Sequence, residues 1–501
     1  MKFRLGPERL FLILVVVCLM VYAGGRAYYV PISADESSSF QTLLTPKGVS
    51  VSKWAKDNHT YVMFDLTGVS SLRIANTHYL NSLLMAGCMK VFGYSEFSLR
   101  LPNLIALFFF ILFTYRITRF IDNKVLSWCF FLLLNLNPFL LDFFSLARGY
   151  GLSIALMVAS LYYFMRHFSN EERTGSLGRA YLLAMLSVFA NFTTFNFYLS
   201  LLFIQLAFEL KPVEGRIPPL RLIWNENKKI VLANLVFACF MMVFLLLQVR
   251  TNQFYIGGDN FRVMFESICF SMVYYNDRLA LLCYIAGMSC LLLAVTIVIY
   301  YLRKLMKSRD ADYRDIPFIV SIICLVLLLV QNKVLKTPLP EGRTSLYLFV
   351  LFTITLVFWL NRVRVRIQRA VAPAAIIVTA LVLVNFVANM NWNVAIYCPY
   401  DKNAKKVYSY LKASADKREG ETTVHANWIL TGALYYYQIK DNNKKLNIVS
   451  VWPAELATKD TNATIYYVVD TVKTNLPGNA ARVLAFPRER TYLLEATANQ
   501  P

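Results

Sequence analysis

Two adjacent carboxylates, Asp35 and Glu36, follow the first apolar segment almost at once, in Pro31-Ile32-Ser33-Ala34-Asp35-Glu36-Ser37. Three further stretches set ionisable side chains against apolar ones. His78 leads into Phe92-Gly93-Tyr94-Ser95-Glu96-Phe97-Ser98-Leu99-Arg100-Leu101-Pro102, Arg148 and Tyr150 stand in Ala147-Arg148-Gly149-Tyr150-Gly151, and Arg343 stands in Pro340-Glu341-Gly342-Arg343-Thr344. Acids take up protons, and guanidinium groups suit bidentate contact with phosphate. Taken singly, each stretch has an ordinary explanation, because acid pairs at loop starts are usually solvated and arginines at span ends usually anchor helices or pair with an acid. Gathered on one side of a membrane, the same residues would form a site.

The elements that must position them are membrane spans. With 57% hydrophobic and 16% charged residues over 501 positions, the chain lies outside the range of soluble domains and reads as a polytopic membrane protein. Apolar segments long enough to cross appear near 8–30, 101–121, 125–143, 150–167, 180–193, 196–210, 230–249, 279–302, 316–331, 345–361 and 371–390, about 11 in all. Asn191-Phe192-Thr193-Thr194-Phe195-Asn196 is the one break in a long apolar run, and reading through it would reverse everything downstream. Lys2, Arg4 and Arg9 precede the first segment, but no small-residue cleavage site stands out before Pro31, so it reads as a retained helix.

The basic residues set the parity. About 23 fall in alternate short segments and about 7 in the others, which by the positive-inside bias places the amino terminus in the cytoplasm and the carboxylate pair outside it. The net charge of +21 is spread over these short loops rather than gathered on one soluble face, which argues against nucleic acid and for topology and anionic lipid. Nine scattered cysteines without a CxxC argue against a disulfide framework and a zinc site. The first outer loop, 31–98, carries an amphipathic pattern from Tyr79 to Phe92 that predicts a helix lying in the interface. After Asn391 polar residues return; 405–411 and 428–437 read as helices, and 422–425, 446–451, 463–469 and 492–494 as strands, giving a small extracytoplasmic α/β domain over 391–501 beside a transmembrane domain over 1–390.

In this order, an acid pair after span one, a His-bearing outer helix, "FGYSEFSLRLPN", "ARGYGL" and "PEGRTSLYL", the chain resembles the GT-C membrane glycosyltransferases. The likeness is to the broad group (glycosyltransferase family 39-like) that includes protein O-mannosyltransferases and the lipid A aminoarabinose transferase. It covers about residues 8–360, and one departure is Tyr79-Leu80 after His78, where many relatives carry Pro-Pro. The resemblance implies transfer of a sugar from a polyprenyl-phosphate donor to a lipid, glycan or protein acceptor at the outer face of the plasma (inner) membrane. It implies Asp35 as base, with Glu36 beside it orienting the loop or binding a divalent cation. It further implies Arg148, Arg343 and Tyr150 at the donor phosphate, with His78 and Arg100 in support; any metal and the sugar stay open. A transporter or flippase of a lipid-linked or polar solute is the alternative, opposed by the lack of an evident inverted repeat or matching broken helices and by the scarcity of mid-membrane ionisable groups.

Overall fold

The structure, a computed structural model, describes residues 6–44, 78–169, 175–209, 220–250, 257, 258, 260–274, 312–363, 365–451, 465–469 and 480–496, with scattered positions between 279 and 300. Only those scattered positions of the expected span at 279–302 are described, and loop 45–77 lies outside the described residues.

Helix α1 (Pro7–Tyr29) starts on a proline at its first turn, where a missing amide costs nothing, and stops just before Pro31. Helix α2 (Ala34–Leu44) carries the acid pair. Helix α3 (Tyr79–Phe92) is closed by Gly93 at φ 77°, a backbone conformation that only glycine adopts without strain. Helix α4 (Glu96–Thr118) opens on a Ser95/Ser98 capping box. Helices α5 (Lys124–Asn135) and α6 (Pro138–Phe144) meet at a bend of 57°, because Pro138 disfavours helical geometry in the residue before it while Asn137 caps the next helix. Helices α7 (Gly149–Phe168), α8 (Ser176–Ala190), α9 (Phe195–Glu209), α10 (Leu220–Arg250), α11 (Phe261–Met272), α12 (Ile316–Leu335), α13 (Leu346–Arg362) and α14 (Val365–Ala388) follow.

Six described helices are long and apolar enough to cross a membrane, and the bent α5–α6 pair would be a seventh. The break at Asn191 is a true reversal. Its side chain caps a 3₁₀ turn, Phe192–Thr194, and Tyr181 of α8 donates to the carbonyl of Leu201 on α9 at 3.2 Å, so the two helices run back on each other. Contacts sort the bundle into two ends. At one, Lys124 meets Glu8, Arg314 meets Asp122 and Arg362 meets Asp312; at the other lie His78, Glu96, Arg148 and Arg343.

The second end carries the carboxy-terminal layer: helices α15 (Ala404–Asp416) and α16 (Trp428–Lys440) against a five-stranded sheet ordered β2-β1-β3-β5-β4. Strands β1 (Thr422–Asn427), β2 (Leu446–Val451) and β3 (Ile465–Val469) pair in parallel, and β4 (Ala480–Phe486) and β5 (Thr491–Ala496) antiparallel to their neighbours. β4 was not among the expected strands. The sheet layer does not stand apart: Ile32, Phe40, Met85, Met89 and Leu99 share one hydrophobic core with Val407, Leu411, Leu430, Tyr436 and Ile448. On α3 the side chains of Leu83, Leu84, Val91 and Phe92 are exposed, beside Lys90.

Candidate active site

The acid pair is built by a local device. Ser33 Oγ accepts the amide of Glu36 at 3.2 Å while the Glu36 carboxylate takes the amide of Ser33 at 2.9 Å, a capping box that starts α2 where it does. Both oxygens of Glu36 are then fully engaged. Arg100 donates to each, at 2.7 and 2.8 Å, and the amide of Ala147 donates to Oε1 at 2.6 Å. Arg100 itself, wholly buried, ties the carbonyls of Ala27, Val30 and Pro31 to the same point. The Glu36–Arg100 pair thus knots the end of α1, the start of α2, α4 and the turn before α7.

Asp35, one residue earlier, points the other way. Its carboxylate pairs with the Arg343 guanidinium, and its side chain stays 29% exposed. Arg343 stands in the 3₁₀ turn Gly342–Ser345, held by the Gly342 amide donating to Ser267 Oγ at 2.5 Å. The ring of Tyr397 lies under the guanidinium, 4.7 Å away. Arg148, the N-cap of α7, donates to the carbonyl of Asp35 at 2.9 Å and to Ser39 Oγ at 2.8 Å. Asp35 therefore touches both arginines, one through its carboxylate and one through its backbone.

The glycines of "ARGYGL" are explained by packing. A Cβ on Gly149 would sit 2.0 Å from the carbonyl of Ala190 and 2.7 Å from His78 Cβ, and one on Gly151 would sit 2.6 Å from the carbonyl of Phe143. Tyr150 between them is buried, its ring 4.9 Å from that of His78. His78 Nδ1 faces the Ala190 carbonyl at 3.1 Å, while Nε2 has no hydrogen-bond partner among the described residues. Burial, with Arg148 nearby, holds this imidazole well below the usual histidine range, so it is neutral and Nδ1–H is the donor.

Glu36, expected to orient the loop or bind a divalent cation, has both carboxylate oxygens taken by donors of the protein. Among the described residues no three His, Cys, Asp or Glu side chains converge to hold a metal ion. Arg100 is the partner of that acid. Asp142 pairs not with Arg148 but with Arg26, at 2.6 Å, both buried, with Tyr274 donating to Asp142 at 2.8 Å and Arg26 reaching the carbonyls of Asn391 and Val394. An arginine inside the first apolar segment was the signal for this pair. Ser33-x-x-Glu36 was the signal for the capping box, while Tyr397 and Ser39 had none.

No protein-family model matches the chain, and no curated protein matches it. Among solved structures, the crystal structure of ArnT from Cupriavidus metallidurans bound to undecaprenyl phosphate superposes with a TM-score of 0.52 at 10% identity, covering 98% of this chain and 98% of that one. The apo form gives 0.53 at 12%, covering 98% and 99%. This is a GT-C fold. Archaeal oligosaccharyltransferase AglB from Archaeoglobus fulgidus, in complex with an inhibitory peptide and a dolichol-phosphate, superposes more loosely, at 0.45 and 10%, over 92% of this chain and 69% of that one. In this GT-C fold the coverage runs through both the helical bundle and the carboxy-terminal sheet layer.

Proposed function

We propose that the chain is a glycosyltransferase that takes a sugar from a polyprenyl-phosphate donor and passes it to an acceptor hydroxyl at the non-cytoplasmic face, with inversion. The observation that carries the reading is the Asp35–Arg343 ion pair, with Arg148 on the backbone of the same acid, at one end of a GT-C bundle. Support for the lipid carrier comes from ArnT, which was crystallised with undecaprenyl phosphate. Support for the outer face comes from the distribution of Lys and Arg in the short loops.

In the reaction, the acceptor oxygen forms a bond to the anomeric carbon as the bond from that carbon to the phosphate oxygen breaks. The electron pair leaves with the phosphate, and the acceptor proton goes to Asp35. A donor phosphate competes with Asp35 for the Arg343 guanidinium. Its arrival frees the carboxylate to act as base while the cation meets the growing phosphate charge. Arg148 and Tyr150 stand beside the same group, His78 backs Tyr150, and Glu36 with Arg100 positions rather than reacts.

The test is Asp35→Asn in the full chain, assayed with labelled polyprenyl-phosphate sugar. The expected result is a loss of turnover of about 100-fold or more with donor binding retained. Wild-type turnover in that variant removes Asp35 from the role of base. Passage of the intact donor across a vesicle membrane without cleavage by the wild type would replace the enzyme with a transporter.

A further inference from the structure

One buried acid lies outside every motif discussed so far. Asp401, in the 3₁₀ turn Pro399–Asn403 that enters the sheet layer, is 3% exposed. Its Oδ2 accepts the amide of Ala34 at 2.7 Å, and its Oδ1 is buried without a hydrogen-bond partner among the described residues. Ala34 is the first residue of α2, next to Asp35. The first amides of a helix have no partner within it. Here Ser33 and Glu36 answer for each other through the capping box, and the amide of Ala34 is answered from 367 residues away.

The same turn of α2 is gripped by α16. A Cβ on Gly432 would lie 3.1 Å from Ala34 Cα, so the glycine lets the two backbones meet. Ser37 Oγ donates to the Gly432 carbonyl at 2.5 Å, and the Ile32 amide donates to the Tyr437 hydroxyl at 3.1 Å. Burial, with the Glu36 charge nearby, outweighs the Ala34 amide and holds the Asp401 carboxyl well above the usual carboxylate range. Its Oδ2 is the acceptor, a role that the carbonyl oxygen of an asparagine side chain can fill.

We propose that Asp401 is a positioning residue: by taking the Ala34 amide from the sheet layer, it holds the first turn of α2, and with it Asp35, in the geometry that meets Arg343. The catalytic consequence rests on the reading of Asp35 as base. The carboxy-terminal layer is then a working part of the site, in addition to any part it has in choosing the acceptor.

The experiment compares Asp401→Ala and Asp401→Asn in the full-length protein, by hydrogen exchange over residues 31–44 and by transfer kinetics. In Asp401→Ala, exchange at the start of α2 should quicken by about fivefold, the loss of one cap. Its kcat should fall at least tenfold while KM for the donor moves less than about threefold. Asp401→Asn, whose carbonyl still accepts, should restore both. Unchanged exchange in Asp401→Ala, or an asparagine variant as impaired as the alanine one, overturns the proposal. If Asp401→Ala is not recovered folded, Asp401→Ser, whose hydroxyl stops short of the amide, is measured with the same expectations. Failure of the base assignment shows separately, as an active Asp35→Asn protein whose exchange response to Asp401 is intact.

Discussion

Of the two adjacent acids, Glu36 has both oxygens enclosed by donors, whereas Asp35 meets one guanidinium and keeps part of its side chain open. Removing one partner of a buried pair leaves the other charge uncompensated in a poorly solvated place. Glu36→Ala is therefore expected to destabilise the protein by about 3–5 kcal/mol, read as a large drop in apparent melting temperature. A shift no larger than that of a surface substitution would contradict the buried-pair account. Asp35→Asn, at a partly open site, should cost far less stability, so its loss of turnover is chemical rather than structural. Sequence patterns place both acids at a span end but cannot tell them apart, because successive residues of a helix point in different directions and only the surroundings show which one meets Arg100.

At the scale of elements, the turn between α8 and α9 at Asn191 to Asn196 and the end of α3 at Phe92 were legible, whereas the bend at Asn137-Pro138 was not, since 125–143 reads as one apolar span. The start of α7 is less local, because Gly149 is demanded by the carbonyl of Ala190 on another helix. Gly149→Ala should push α7 away from α8 and His78, with a loss of about 1–3 kcal/mol or more in thermal unfolding and an accompanying loss of transfer activity. An unchanged melting temperature would show that the backbones are not in contact there. β4 was missed because its run, Ala480 to Phe486, lacks strict alternation and has an irregular register at Arg482/Leu484, so only pairing with β5 identifies it.

Across the whole molecule, the bundle and the sheet layer share a core and meet at Asp401, which makes stability depend on pH in a definite direction. The unfolded chain releases the Asp401 proton near pH 4, but the folded protein holds it to higher pH, with Glu36, Cys398, Tyr400 and Tyr467 as its charged or titratable neighbours. Between these two points the native state binds the extra proton, so this group's contribution is present below pH 4 and is lost as pH rises. Asp401→Asn does not titrate. The melting temperature of the asparagine variant relative to wild type should therefore climb from pH 4 upward, until the folded carboxyl has ionised, and a constant difference would contradict a proton held on Asp401.

By itself, the sequence determined that the chain is a polytopic membrane protein, that it turns at Asn191 to Asn196, and which polar residues gather at which end. Those properties follow from short-range hydropathy, capping and loop charge. Which acid meets which partner was decided only by the tertiary structure: Asp142 takes Arg26, Glu36 takes Arg100, and Asp401 reaches Ala34 from 367 residues away. The physical reason is that a buried charge or amide must find a partner wherever packing brings one, and packing joins segments whose separation along the chain carries no signal.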